Sequence, residues 1–182
     1  MTTMQPTRTS SNNPMSAILF YVVMIVLSPL FVIGYVVWIG AMFARRKSSA
    51  SATATAPLFA RWLQHHMGTR LDAGAARILP VAPGIPSLGW RLVGGTQVAA
   101  HRLSGYVPAT FHYPFEGEIT IQSQGGARQT FYDQVVQRFL PRVTQFVILG
   151  AGYDTRALNL PEGTGVRSFE VDTPATSEGK RE

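Results

Sequence analysis

The stretch that decides the fold runs Gln145-Phe-Val-Ile-Leu-Gly-Ala-Gly-Tyr-Asp-Thr-Arg-Ala-Leu158, with a companion at Val166-Arg-Ser-Phe-Glu-Val-Asp172. Gln145–Leu149 is a short apolar run rich in β-branched residues, the pattern of a buried parallel strand. Gly150, Ala151 and Gly152 follow at once, and Tyr153–Leu158 reads as a turn into a short helix. Val166–Val171 is a second strand that ends in Asp172. The fold class is therefore α/β, with one β-turn-α-β unit and an acid at the tip of its second strand. Glycines let a backbone approach a ligand without Cβ interference. An acid about twenty residues beyond such a turn can accept hydrogen bonds from both hydroxyls of a ribose. Spacing alone also fits an ordinary tight turn in an α/β sheet. The third glycine of GxGxxG is missing, and no GxxxxGK[ST] motif for a nucleoside triphosphate occurs.

Working outward, Thr130 and Asp133 fit a capping box that opens a helix through Val135, Val136, Phe139 and Leu140, stopped by Pro141. Taken together, QFVILGAGYDTRAL and FEVDTPAT resemble the leucine carboxyl methyltransferase-type family of S-adenosylmethionine-dependent methyltransferases. Gly150, Ala151, Gly152, Asp154, Thr155, Arg156 and Ala157 match its GAG-x-DTRA motif. Glu170, Val171, Asp172 and Pro174 match its E-[VI]-D-x-P segment, and Lys180 stands where a further lysine follows. Ala127-Arg128-Gln129-Thr130 through Asp133 is similar to the family's ART…D segment, departing at Gln129.

The resemblance implies a Rossmann-like sheet and S-adenosylmethionine as cofactor. It implies that Arg128 pairs with the methionine carboxylate, that Gly150, Ala151 and Gly152 line the sulfonium end, and that Asp172 holds the ribose. Arg156 and Glu170 brace the turn and strand. Methyl transfer to an oxygen, often a carboxylate in this family, needs no strong general base, so no catalytic residue is assigned. A full fold of this kind needs about seven strands. Only ten residues follow Asp172. A truncated methyltransferase lacking its substrate pocket is the first expectation. An inactive anchored interaction protein with a degenerate half-domain is the alternative, and a membrane protein with a degenerate soluble part is a third.

The other strong signal is Met15–Ala44, thirty residues without a charged side chain. About 20 apolar residues cross a hydrocarbon core, so this stretch reads as a transmembrane helix with a candidate kink at Pro29. A cleaved signal peptide would have a shorter apolar region with basic residues ahead of it. Here Arg45, Arg46 and Lys47 come after it, which places residues 45–182 in the cytoplasm and makes the lipid bilayer a partner. The net charge of +6 is uneven: residues 1–47 carry +4 with no acid, and the remainder only +2. That distribution lacks the basic stripe of a nucleic-acid binder.

The expected division is a polar tail over 1–14, a transmembrane helix over 15–44, and a basic flank with flexible linker over 45–56. A loop-rich region with a short helix follows over 57–126, then the start of the cofactor-binding domain over 127–182. The short helix opens at Pro57 and carries Leu58, Phe59, Trp62, Leu63 and Met67 on one face, suited either to a membrane surface or to the following domain. Three prolines and four glycines make residues 80–97 mostly loop, and Glu118–Ser123 alternates like a strand. The four histidines, His65, His66, His101 and His112, read as solvated surface and form no metal-ligand set. The absence of cysteine excludes disulfides and thiolate chemistry.

Overall fold

A computed structural model of the protein describes residues 13–44, 52–82, 86–121 and 123–181. The apolar stretch forms two helices, α1 (Pro14–Val26) and α2 (Ser28–Ala44), bent by 64° at Leu27. Asn13 starts α1 by accepting the Met15 N–H, with Pro14 in the first turn, where its missing donor is harmless. The break corrects the single helix expected over 15–44, and its cause is the residue flagged as a kink. Pro29 cannot donate to the carbonyl of Ile25, and that oxygen is taken instead by the Ser28 hydroxyl at 2.7 Å. No single helix among the described residues is long and apolar enough to cross a membrane, although the bent pair passes that test together.

Helix α3 (Ala52–His66) begins five residues before Pro57. Residues 52–56, expected as flexible linker, are thus helical; positions 45–51 lie outside the described residues. Leu58, Trp62 and Leu63 face inward on α3 and Met67 just beyond it is buried too, so the apolar stripe packs on protein. Gly68 ends the helix at φ +73°, with the Thr69 N–H returning to the Gln64 carbonyl. Asp72 caps the short α4 (Ala73–Ile78) by accepting the Ala75 N–H.

The loop expected through residue 97 gives way at Ser87 to an 18-residue helix, α5 (Ser87–Ser104). Its Gly89 and Gly94 serve close packing rather than turning. A Cβ on Gly34 of α2 would stand 2.6 Å from the Leu92 Cβ, and one on Gly89 would stand 3.1 Å from Trp38. Glycine lets the α2 and α5 backbones approach where any side chain would wedge them apart. The core lies between α3, α4 and α5, with Trp62 edge-on to Trp90 at 5.2 Å. Tyr153, from the glycine turn, is buried in this same core.

Helix α6 (Gln124–Phe139) starts six residues before Thr130, so the capping box is corrected. Thr130 is buried within the helix and its hydroxyl accepts the Phe115 N–H at 2.8 Å. Nor do the described residues of Glu118–Ser123 form a strand: Ser123 bonds back to Thr120 and Glu118 in a local turn. Strands β1 (Gln145–Leu149) and β2 (Arg167–Val171) pair in parallel, Leu149 opposite Val171, and α7 (Pro174–Arg181) follows. The sheet is α/β in kind, but its apolar side chains are not buried as expected. Val147, Leu149, Phe169 and Val171 share one face of the pair and are all exposed, whereas Phe146 and Ile148 on the other face are half-buried.

Candidate functional site

Parallel pairing sets the site. With Leu149 opposite Val171, the glycine turn after β1 and Asp172 after β2 emerge side by side at the carboxyl edge of the sheet. The Gly150 N–H reaches across to the Val171 carbonyl at 2.8 Å. Gly150 and Gly152 have φ of +63° and +51°, a region that side-chain-bearing residues rarely adopt. The space beside Gly150 is open, whereas the missing Cβ of Gly152 would stand 3.1 Å from Ala54 at the start of α3. Ala151, between them, is buried.

Asp172 accepts the Gly152 N–H at 2.5 Å and the Thr173 N–H at 2.6 Å. The Gly152 N–H is the main reason that its carboxyl sits below the ordinary range, outweighing the partial desolvation. A carboxylate has about four acceptor positions, so two backbone donors leave capacity for a ligand's hydroxyls. Arg128 is exposed on α6 and makes no hydrogen bond or ion pair among the described residues. The structure therefore brings together Gly150, Ala151, Gly152 and Asp172, and leaves Arg128 outside that group.

The rest of the DTR motif turns away from this edge into a charged network. Arg61, buried on α3, donates to Thr155 Oγ1 at 2.7 Å and pairs with Asp154 at 3.2 Å. The Thr155 hydroxyl donates to Asp72, which also accepts from Asn159 and pairs with Arg70. Arg70 and Arg156 flank Asp133 at 2.8 and 2.6 Å, and Tyr113 donates its hydroxyl to the same carboxylate. Arg156 also pairs with Asp154, and Lys180 joins the Asp154 carbonyl to the Glu170 carboxylate. Arg156 and Glu170 thus brace turn and strand.

Burial alone would raise the Asp154 carboxyl, but Arg61 and Arg156 outweigh it and hold it below the ordinary range. Tyr113 is pushed up to about 12 by burial and by Asp133. Charges taken out of water are tolerated only when each is paired, and every arginine of this network faces at least one carboxylate.

Arg61, Gln64, Arg70, Asp72 and Tyr113 were not singled out from the sequence as partners of the motif. One signal was available: Arg61 and Gln64 interrupt the apolar stripe of α3 at positions that share its buried face. The histidines are also less solvated than expected. The His65 ring accepts the Asp72 N–H, and the His101 and His112 rings contact the Tyr106 and Val107 carbonyls.

A parallel strand pair with a glycine turn and an acid at its carboxyl edge has the arrangement that Rossmann-like sheets use to bind nucleosides. Residues 115–182 match the model of the leucine carboxyl methyltransferase family. The match begins at Phe115, twelve residues before the pattern visible by inspection. The chain is also 36% identical over 95 residues to a protein of Mycolicibacterium smegmatis assigned by name as an S-adenosyl-L-methionine-dependent methyltransferase. That alignment covers 50% of this chain and 30% of the relative, so the chain spans about a third of its length. No solved structure matches significantly. The two matches support S-adenosylmethionine as the cofactor.

Proposed function

We propose that this chain carries the cofactor-binding edge of a membrane-associated S-adenosylmethionine-dependent methyltransferase acting on a carboxylate or other oxygen. The observation that carries the reading is the adjacency of Gly150 and Asp172 at the carboxyl edge of β1 and β2. Asp172 accepts the ribose hydroxyls, its ionised form favoured by the Gly152 and Thr173 amides. The open side of Gly150, with Ala151 and Gly152 holding the turn, faces the sulfonium end. Arg128, free on α6, pairs with the methionine carboxylate. Bound cofactor supplies an electrophilic methyl group on sulfur. A carboxylate acceptor is already ionised at neutral pH, so positioning and water exclusion bear the catalytic burden.

Residues 15–44 attach the protein to a bilayer, with the methyltransferase segment on the cytoplasmic side beside Arg45, Arg46 and Lys47. A second reading, an interaction protein with a vestigial half-site, draws on the exposed Val147, Leu149, Phe169 and Val171. Calorimetric titration separates the two. Micromolar binding of S-adenosylmethionine, lost in Asp172→Ala, is expected; no binding, or binding indifferent to Asp172→Ala, overturns the cofactor-edge reading.

A further inference from the structure

We infer that α1 and α2 form an in-plane anchor embedded in one leaflet, with both of its ends on the same side of the membrane. The inference rests on the membrane attachment proposed above and changes its geometry. At about 1.5 Å per residue, α1 is about 20 Å long and α2 about 25 Å, each short of a hydrocarbon core of about 30 Å. The 64° bend between them is fixed chemically, by Pro29 and by the Ser28 hydroxyl on the Ile25 carbonyl.

The bend is also held from one side. Helix α5 packs along both helices, with Gly34 against Leu92, Gly89 against Trp38, and Phe20 buried beside Tyr106. On its other side α5 joins the core through Trp90 and Val98, and that core adjoins the charged network of Arg61 and Asp72. Straightening residues 15–44 into a span would strip them from α5. Keeping the contact while spanning would draw α5, with its exposed Arg91 and Arg102, into hydrocarbon. Charged side chains there are expensive. The compact arrangement satisfies both constraints only if the membrane meets the face that α5 leaves open.

That face suits lipid. Fourteen large apolar side chains of α1 and α2 are exposed, among them Val22, Ile25, Val26, Val36 and Phe43, and residues 13–44 include no charge to interrupt them. Aqueous surfaces carry apolar residues singly, not in this concentration. Arg45, Arg46 and Lys47 follow directly in sequence and favour an anionic headgroup layer.

The cysteine-free chain permits a clean topology test. The full chain, as single variants Thr7→Cys and Glu162→Cys, is synthesised beside sealed phosphatidylcholine vesicles with or without phosphatidylglycerol. Flotation is followed by labelling with a membrane-impermeant maleimide. Expected are flotation that is several-fold greater with phosphatidylglycerol, and equal labelling of both positions from outside. Protection of Thr7→Cys while Glu162→Cys is labelled overturns the in-plane geometry and leaves membrane attachment standing. Failure to float, including by a chain that merely self-associates, overturns both.

Discussion

Replacing Asp72 with alanine is the sharpest test of how the chain is built. Asp72 is fully buried, caps α4 through the Ala75 N–H, and accepts from Thr155 and Asn159 beyond the glycine turn. Its carboxylate also lies 3.2 Å from Arg70. Asp72→Ala leaves a buried cation without one of its counter-charges, a loss of about 3–5 kcal/mol for such pairs. The lost cap accounts for about 1 kcal/mol, which overlaps that figure rather than adding to it. At about 2–4 °C per kcal/mol for a chain of this size, the melting temperature falls by on the order of 10 °C.

The assay is thermal unfolding in detergent micelles, followed by circular dichroism and by tyrosine fluorescence. Because Asp72 and Thr155 touch, the double variant Asp72→Ala/Thr155→Val should lose less than the sum of the singles, by about 0.5–3 kcal/mol. The reasoning fails if Asp72→Ala costs under about 1 kcal/mol, below the usual range for a lost buried partner. It fails too if the helical part melts separately from the glycine turn, for the network then does not join them.

Further predictions follow from the same geometry. Gly34→Leu forces a side chain into the Leu92 contact and should destabilise the α2–α5 seam by about 1–3 kcal/mol or more in denaturant titration, as overpacking does. Asp154 has a folded carboxyl below its unfolded value of about 3.9, so its contribution is complete above that pH and is lost as pH falls through the lower folded value. Acid unfolding should therefore begin below about pH 4, and Asp154→Asn should flatten that dependence. Tyr113 should ionise near pH 12 in ultraviolet titration, and Tyr113→Phe should remove that step. Asp172→Ala should weaken S-adenosylmethionine binding by about 10- to 100-fold, the worth of a lost hydrogen bond to a charged group, with little change in melting temperature.

The β-turn-β unit was legible because its signal is local. β-branched runs of strand length, separated by glycines and closed by an acid, specify strands and turn without help from the remainder of the chain. Gln145–Leu149 is placed without error, and the second strand differs by one residue. The failures occur where one residue type serves two purposes. Gly89 and Gly94 look like turn residues, yet in α5 they admit Trp38 and Trp62 at close range. Thr130 looks like a helix cap, yet it serves a long-range bond to Phe115. Asp133, its supposed partner, is spoken for by Arg70, Arg156 and Tyr113, all three from outside the local sequence.

The GAGYDTRA motif divides between two tasks. Gly150, with Asp172 beside it, is presented to solvent at the sheet edge, where a ligand can reach it. Tyr153, Asp154, Thr155 and Arg156 point inward, one into the apolar core and three into ion pairs and hydrogen bonds with α3, the segment before α4, and α6. The second group fixes the first: Gly152 can hold its left-handed conformation against Ala54 because Arg61, seven residues along the same helix, grips the next turn. Any displacement of α3 must then move the amide that Asp172 accepts. On this arrangement the helices ahead of Phe115 are not a separable attachment to the segment that matches the methyltransferase family. They set the backbone geometry of the proposed cofactor edge, so Arg61→Met, far from Asp172 in sequence, should lower S-adenosylmethionine affinity even in protein that remains folded.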